Sequence, residues 1–96
     1  TQGQIALDDG AVRALTVKKA SLLPAGITGV TGTFESGDPV ELIAGDGRVI
    51  GRGIVNFDAK ELPQLMGRST KELAVELGPS YEREVVHRDD LVITGE

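Results

Sequence analysis

The residues of this chain that could do chemistry fall into a few small groups. His87-Arg88-Asp89 has the residue types of a protein-kinase catalytic loop, whose aspartate orients a substrate hydroxyl. That loop needs an asparagine five residues after the aspartate, and position 94 is Thr94. It also needs a glycine-rich loop and a lysine-bearing strand upstream, and neither precedes it here. Gly67-Arg68-Ser69-Thr70 has the closing residues of a phosphate-binding loop, but Leu62 stands where its first glycine belongs and Arg68 where its lysine belongs. Gly26, Gly29 and Gly32 are evenly spaced, yet no helix follows them as a dinucleotide fingerprint requires. A nucleotide-clamping G-x-x-G loop lies between helices, whereas these glycines read as strand. His87 is the one histidine, and a single histidine with a hydroxyl elsewhere is no nucleophile–base pair. The remaining group is basic: Lys18 and Lys19 side by side, with Arg48 and Arg52 flanking a turn. These four are the candidate contacts for an anionic or interdomain surface.

Composition narrows the chemistry further. The 96 residues carry ten Lys/Arg against fifteen Asp/Glu, a formal charge of −5, which opposes a main task of gripping phosphates. The balance is uneven: +1 over residues 1–33 and −6 over the rest, so a basic patch fits only in the first third. Three aromatics leave few rings for stacking bases. With no cysteine, disulfide scaffolds and thiolate metal sites are excluded, and one histidine excludes multi-histidine sites. No apolar run approaches the ~18 residues of a membrane span, and the first residues lack a signal-peptide pattern, so a cytoplasmic protein is expected.

The elements that must position these residues follow from patterning. A chain of this length builds one core, burying roughly 60–70% of its unfolded surface. Gly3-Gln4-Ile5-Ala6-Leu7 alternates as a half-buried strand does. Asp8 and Asp9 offer caps to a helix over 9–17, and Lys18 and Lys19 complement its C-terminal dipole. Glycines at 26, 29 and 32 predict a curved strand. Val40-Glu41-Leu42-Ile43, the Asp46-Gly47 turn and a second arm from Val49 predict a hairpin. Asp58 with Glu61, then Ser69 with Glu72, are capping boxes for helices over 59–66 and 70–77. Glu84-Val85-Val86-His87 and Leu91-Val92-Ile93 read as strand, or strand and turn, closing the sheet. His87 is expected to hydrogen-bond backbone or a carboxylate, and Arg88 to pair with a carboxylate. The expected core is Ile27, Val30, Phe34, Leu42, Ile54, Leu73, Leu77, Val86 and Val92. This is an α+β order around a mixed, barrel-like sheet.

Three stretches of the chain carry a family resemblance. Ser21-Leu22-Leu23-Pro24-Ala25-Gly26-Ile27, then Gly32-x-Phe34-x-x-Gly37-Asp38-x-Val40, then Gly51-Arg52-Gly53-Ile54-Val55-Asn56 resemble a PUA domain. Asp8-x-Gly10-Ala11-x-x-Ala14-Leu15 with the tail from Glu84 to Val92 is similar to the C-terminal domain of the bacterial glutamate 5-kinase family. Asn56-Phe57-Asp58 stands where many members show Asn-Tyr-Ser, and Lys19-Ala20-Ser21 where many show Gly-Lys-Ser. The resemblance implies a PUA-like mixed β pseudo-barrel with short helices over residues 1–96, cut from a longer chain with an N-terminal amino-acid-kinase domain. It implies that ATP, Mg²⁺ and glutamate sites lie in that other domain, so no catalytic, cofactor or metal residue is expected here. Two functions stay open. One is an accessory, regulatory module packing on the kinase domain of its own chain or a neighbouring subunit. The other is RNA binding through the first helix and the strand after it, the surface used by PUA relatives in RNA modification. There Lys18 and Lys19 would be contacts, and the acidic charge implies weak binding.

Overall fold

The computed structural model describes residues 3–94. Five strands, β1 (Gly3–Leu7), β2 (Ile27–Gly32), β3 (Pro39–Ile43), β4 (Val49–Val55) and β5 (Val86–Ile93), form one sheet in the order β2-β1-β3-β4-β5. β1 and β3 run parallel, and the other neighbours are antiparallel, so the sheet is mixed as expected. Register shifts interrupt β1/β2, β3/β4 and β4/β5, and each such bulge adds local twist. That curvature brings the two ends of the sheet together. Leu22, just before edge strand β2, bridges Val86 of edge strand β5. Leu22 N donates to Val86 O at 2.9 Å, and Val85 N donates to Leu22 O at 2.8 Å. Among the described residues, this main-chain clasp closes the pseudo-barrel.

Glycine permits the tight radius at β4. A Cβ on Gly53 would lie 2.5 Å from Val86 Cγ1 and 3.0 Å from Asp90 O, so only hydrogen fits. Between Gly53 and Val55, β4 advances two residues while β5 spans Leu91 back to Val86. His87-Arg88-Asp89 therefore bows away from β4. His87 Nδ1 accepts from Asp89 N at 3.0 Å, as the sequence suggested. Arg88 departs from expectation. Its main-chain N–H donates to Ser21 Oγ at 2.8 Å, and no carboxylate pairs with its guanidinium among the described residues. The bulge carries that side chain outward into solvent.

Helix α1 (Asp9–Thr16) starts where Asp8 Oδ1 accepts from Ala11 N at 2.7 Å. Helix α2 (Thr70–Leu77) starts where Ser69 Oγ accepts from Glu72 N at 3.1 Å. The predicted helix over 59–66 is instead a 3-10 turn at Leu62–Gln64. Pro63 supplies no N–H, and only half of the Asp58/Glu61 capping box forms. Glu61 Oε1 accepts from Asp58 N at 3.0 Å, but the Asp58 carboxylate accepts from Ser36 N at 2.9 Å, across to the β2–β3 turn.

Ile27, Phe34, Leu42, Leu73 and Val86 are buried as predicted, and Val30 is partly buried against them. Three expected core residues are not: Ile54, Leu77 and Val92 are 38%, 38% and 55% exposed. On β4 the inward positions fall to Gly53 and Val55, so Ile54 takes the opposite face. Val92 stands opposite Arg52 and shares that outer face. Leu77 ends a helix whose one fully buried residue is Leu73.

Candidate nucleic-acid or interdomain surface

The four basic candidates lie in three places. Lys18 and Lys19 follow the end of α1, both exposed, and Lys19 adopts a left-handed φ of 55°. Arg48 sits in the β3–β4 turn, 3.9 Å from the Asp46 carboxylate, with both side chains more than half exposed. Exposed pairs of this kind contribute about 0–1 kcal/mol. Arg52 is elsewhere, on the outer sheet face between Glu41 of β3 and Val92 of β5.

One residue that sequence reasoning missed links Lys18 with Arg48. Arg13, exposed on α1, lines a concavity of ≈ 310 Å³ with Lys18 and another of ≈ 470 Å³ with Arg48. The signal was available in the helical period. Leu15 is the buried residue of α1, and a position two residues away points about 200° round the helix. Lys18, Arg13 and Arg48 thus make a short basic string along the solvent side of α1. Asp9 and Asp46 line the same concavity as Arg13 and Arg48 and offset much of its charge.

Beside this string runs an apolar groove of ≈ 350 Å³ between α1 and the residue 20–26 segment, floored by Ala11, Leu15 and Leu22. Its two walls are locked together. Asp8 N donates to Gly26 O at 3.0 Å, and a Cβ on Gly26 would lie 2.5 Å from Ala11 Cβ. A second concavity, ≈ 420 Å³, is lined by Phe34, Glu35, Asp38, Asp58 and Lys60. Its carboxylates serve the turns: Asp38 accepts from Glu35 N at 2.9 Å, and Asp58 accepts from Ser36 N. Elsewhere Arg68 holds Glu72 at 3.1 Å, also pairs with Glu76, and donates to Gln64 O at 3.2 Å. These charges fasten α2 to the turn before it.

A mixed sheet closed by the Leu22–Val86 clasp, with α1 laid beside the groove, defines the class. The PUA-domain family model matches residues 3–77, and the chain belongs to that family. The particular proteins it is similar to are glutamate 5-kinases. That of Streptomyces coelicolor is 71% identical over 92 residues, which are 96% of this chain and 25% of the relative. The chain thus spans about a quarter of the length of the curated relatives it matches. Among solved structures, a PUA domain from Aeropyrum pernix K1, in complex with tartrate, superposes with a TM-score of 0.67. That match is 26% identical and covers 91% of this chain and 41% of the other. The archaeal box H/ACA sRNP Nop10–Cbf5 complex shares the fold at a TM-score of 0.61 and 16% identity, covering 98% of this chain and 24% of the other.

Proposed function

We propose that this chain is the non-catalytic, regulatory PUA module of a glutamate 5-kinase. The parent enzyme would transfer a phosphoryl group from ATP to the side-chain carboxylate of glutamate in the cytoplasm, as the first step toward proline. The observation that carries this reading is the 71% identity extending over 96% of the chain but only 25% of the relative. ATP, Mg²⁺ and glutamate belong, in this reading, to the amino-acid-kinase domain that makes up the rest of the polypeptide. Four acidic side chains of the present domain support the division of labour. Asp8 caps α1, Asp38 and Asp58 accept from turn N–H groups, and Glu72 is held by Arg68. Phosphoryl transfer needs a phosphate cradle and metal-binding carboxylates free to point at one place, and these carboxylates are engaged locally. The module's partner is then the kinase domain of the same chain or of a neighbouring subunit.

The experiment is ATP consumption by the purified 96-residue domain with glutamate and Mg²⁺. No glutamate-dependent turnover above a heat-treated control is expected. Turnover by the domain alone would overturn the reading.

RNA binding is the second reading, and one observation favours it: Lys18, Arg13 and Arg48 line adjoining concavities along α1. Two or three phosphate contacts, set beside Asp9 and Asp46, support only weak and salt-sensitive association.

A further inference from the structure

The outer face of the sheet has the wrong chemistry for solvent. A sheet with one face on the core normally turns polar residues outward on the other. Here Ile5, Leu7, Val40 and Leu42 point to the core, which leaves Gln4, Ala6, Glu41 and Ile43 on the opposite face. The Gln4 Nε2 to Glu41 Oε1 hydrogen bond, 3.0 Å across β1 and β3, fixes that side. In register with this row lie Val49 opposite Ile43 and Arg52 opposite Glu41 on β4, then Val92 opposite Arg52 on β5. Val49, Ile54 and Val92 are 38%, 38% and 55% exposed there. Ile54 lies two residues beyond Arg52 on the same strand, opposite Pro39 of β3. At the centre, Glu41 and Arg52 oppose each other and cancel, and exposed Asp90, two residues before Val92 on β5, leaves the face one negative charge on a molecule whose formal charge is −5. The result is a near-neutral apolar face on an acidic domain, the pattern of a covered surface.

We infer that this face, centred on Ile54 and Val92, is where the domain packs against the kinase part of its own polypeptide. The inference rests on the reading under Proposed function. The occupant is argued from length: relatives place about three quarters of their chain outside the matched stretch, so most of the parent lies beyond this domain. The docking surface on that part should be apolar, with an acceptor for Arg52 and a donor for Glu41 at its centre.

The test uses the full-length enzyme with native cysteines outside this domain changed to serine, provided it still consumes ATP with glutamate. Ile54→Cys, Val92→Cys and Val75→Cys are compared for the rate of maleimide labelling. Val75, on α2, is 86% exposed, so exposure within the domain separates the three sites by little more than twofold. Labelling at least tenfold slower at Ile54→Cys and Val92→Cys than at Val75→Cys, with the difference abolished in denaturant, is expected. Equal rates in an active enzyme would overturn the docking face and leave the proposed function standing. A disulfide joining Val92→Cys of two copies would assign the face to a second copy and equally overturn it. A full-length protein with no glutamate-dependent ATP turnover before any cysteine is changed would remove the functional reading itself.

Discussion

Gly26→Ala tests the joint between α1 and the strand that follows it. The glycine does not take a positive φ, so an alanine meets no backbone strain there. The penalty comes from space: its Cβ would fall 2.5 Å from Ala11 Cβ, where carbon atoms prefer about 3.5–4.0 Å. Relief requires α1 to back away by about 1 Å, yet Asp8 N is tied to Gly26 O at 3.0 Å and Leu15 is fully packed. Overpacking of this kind costs about 1–3 kcal/mol. The lower entropy of the unfolded alanine chain returns about 0.4–1 kcal/mol. The net loss is then about 1–2 kcal/mol, or a fall in Tm of roughly 5–15 °C for a domain of this size. Urea denaturation of a four-member cycle isolates the contact. Ala11→Gly alone costs about 1 kcal/mol of helix propensity, but beside Gly26→Ala it vacates the space the new methyl needs. The double variant should be more stable than the sum of the single losses by about 1–2 kcal/mol. Strict additivity, or a Gly26→Ala protein as stable as the parent, would refute the steric account.

Four further outcomes are expected. Lys19→Gly, at a φ of 55°, should stabilise the domain by about 0.5–1 kcal/mol in urea denaturation, since left-handed backbone costs a side-chain-bearing residue about 1–2 kcal/mol; a loss would contradict it. Asp8→Ala should cost about 1 kcal/mol and Asp8→Asn far less, because an asparagine oxygen can still accept from Ala11 N; equal losses would point to charge instead. Leu62→Ala, at a fully buried site, should cost about 2–5 kcal/mol by thermal melting, whereas Val75→Ala at 86% exposure should stay within about 0.5 kcal/mol. Titration of the domain with tRNA at physiological salt should show only the non-specific range of about 10⁻⁴–10⁻⁶ M, weakening as salt rises. Tighter saturable binding abolished by Arg13→Glu with Lys18→Glu would promote the RNA reading.

The elements legible in the sequence were those whose signals are local. Asp8 and Ser69 were readable as caps because each bonds a main-chain N–H three residues on. The Asp46-Gly47 turn was readable because Gly47, with φ 88°, takes a conformation that glycine adopts without strain. Long-range choices were not. Asp58 had two N–H groups to serve, and the one from Ser36, 22 residues away, won over its own capping box. Ile54 and Val92 looked like core because they are apolar, but strand phase decides the face, and that phase is set by Gly53 packing against Val86. At the candidate surface, Lys18 and Lys19 were visible as a pair. Arg13 joined them only once α1 was seen beside the β3–β4 turn. Arg52 was grouped with Arg48 by sequence proximity, but Arg48 lies in the β3–β4 turn beside α1 while Arg52 stands mid-strand on the outer face of β4.

The most direct test of the central claim is kinetic: glutamate-dependent ATP turnover by the full-length polypeptide, proposed to be a glutamate 5-kinase, with and without the present domain. An accessory module leaves the reacting groups in place, so the truncated enzyme should keep measurable kcat while its dependence on glutamate concentration or its subunit assembly changes. A truncated enzyme that still binds ATP and glutamate but turns over no faster than background would contradict the account, because this domain would then supply a group the reaction needs.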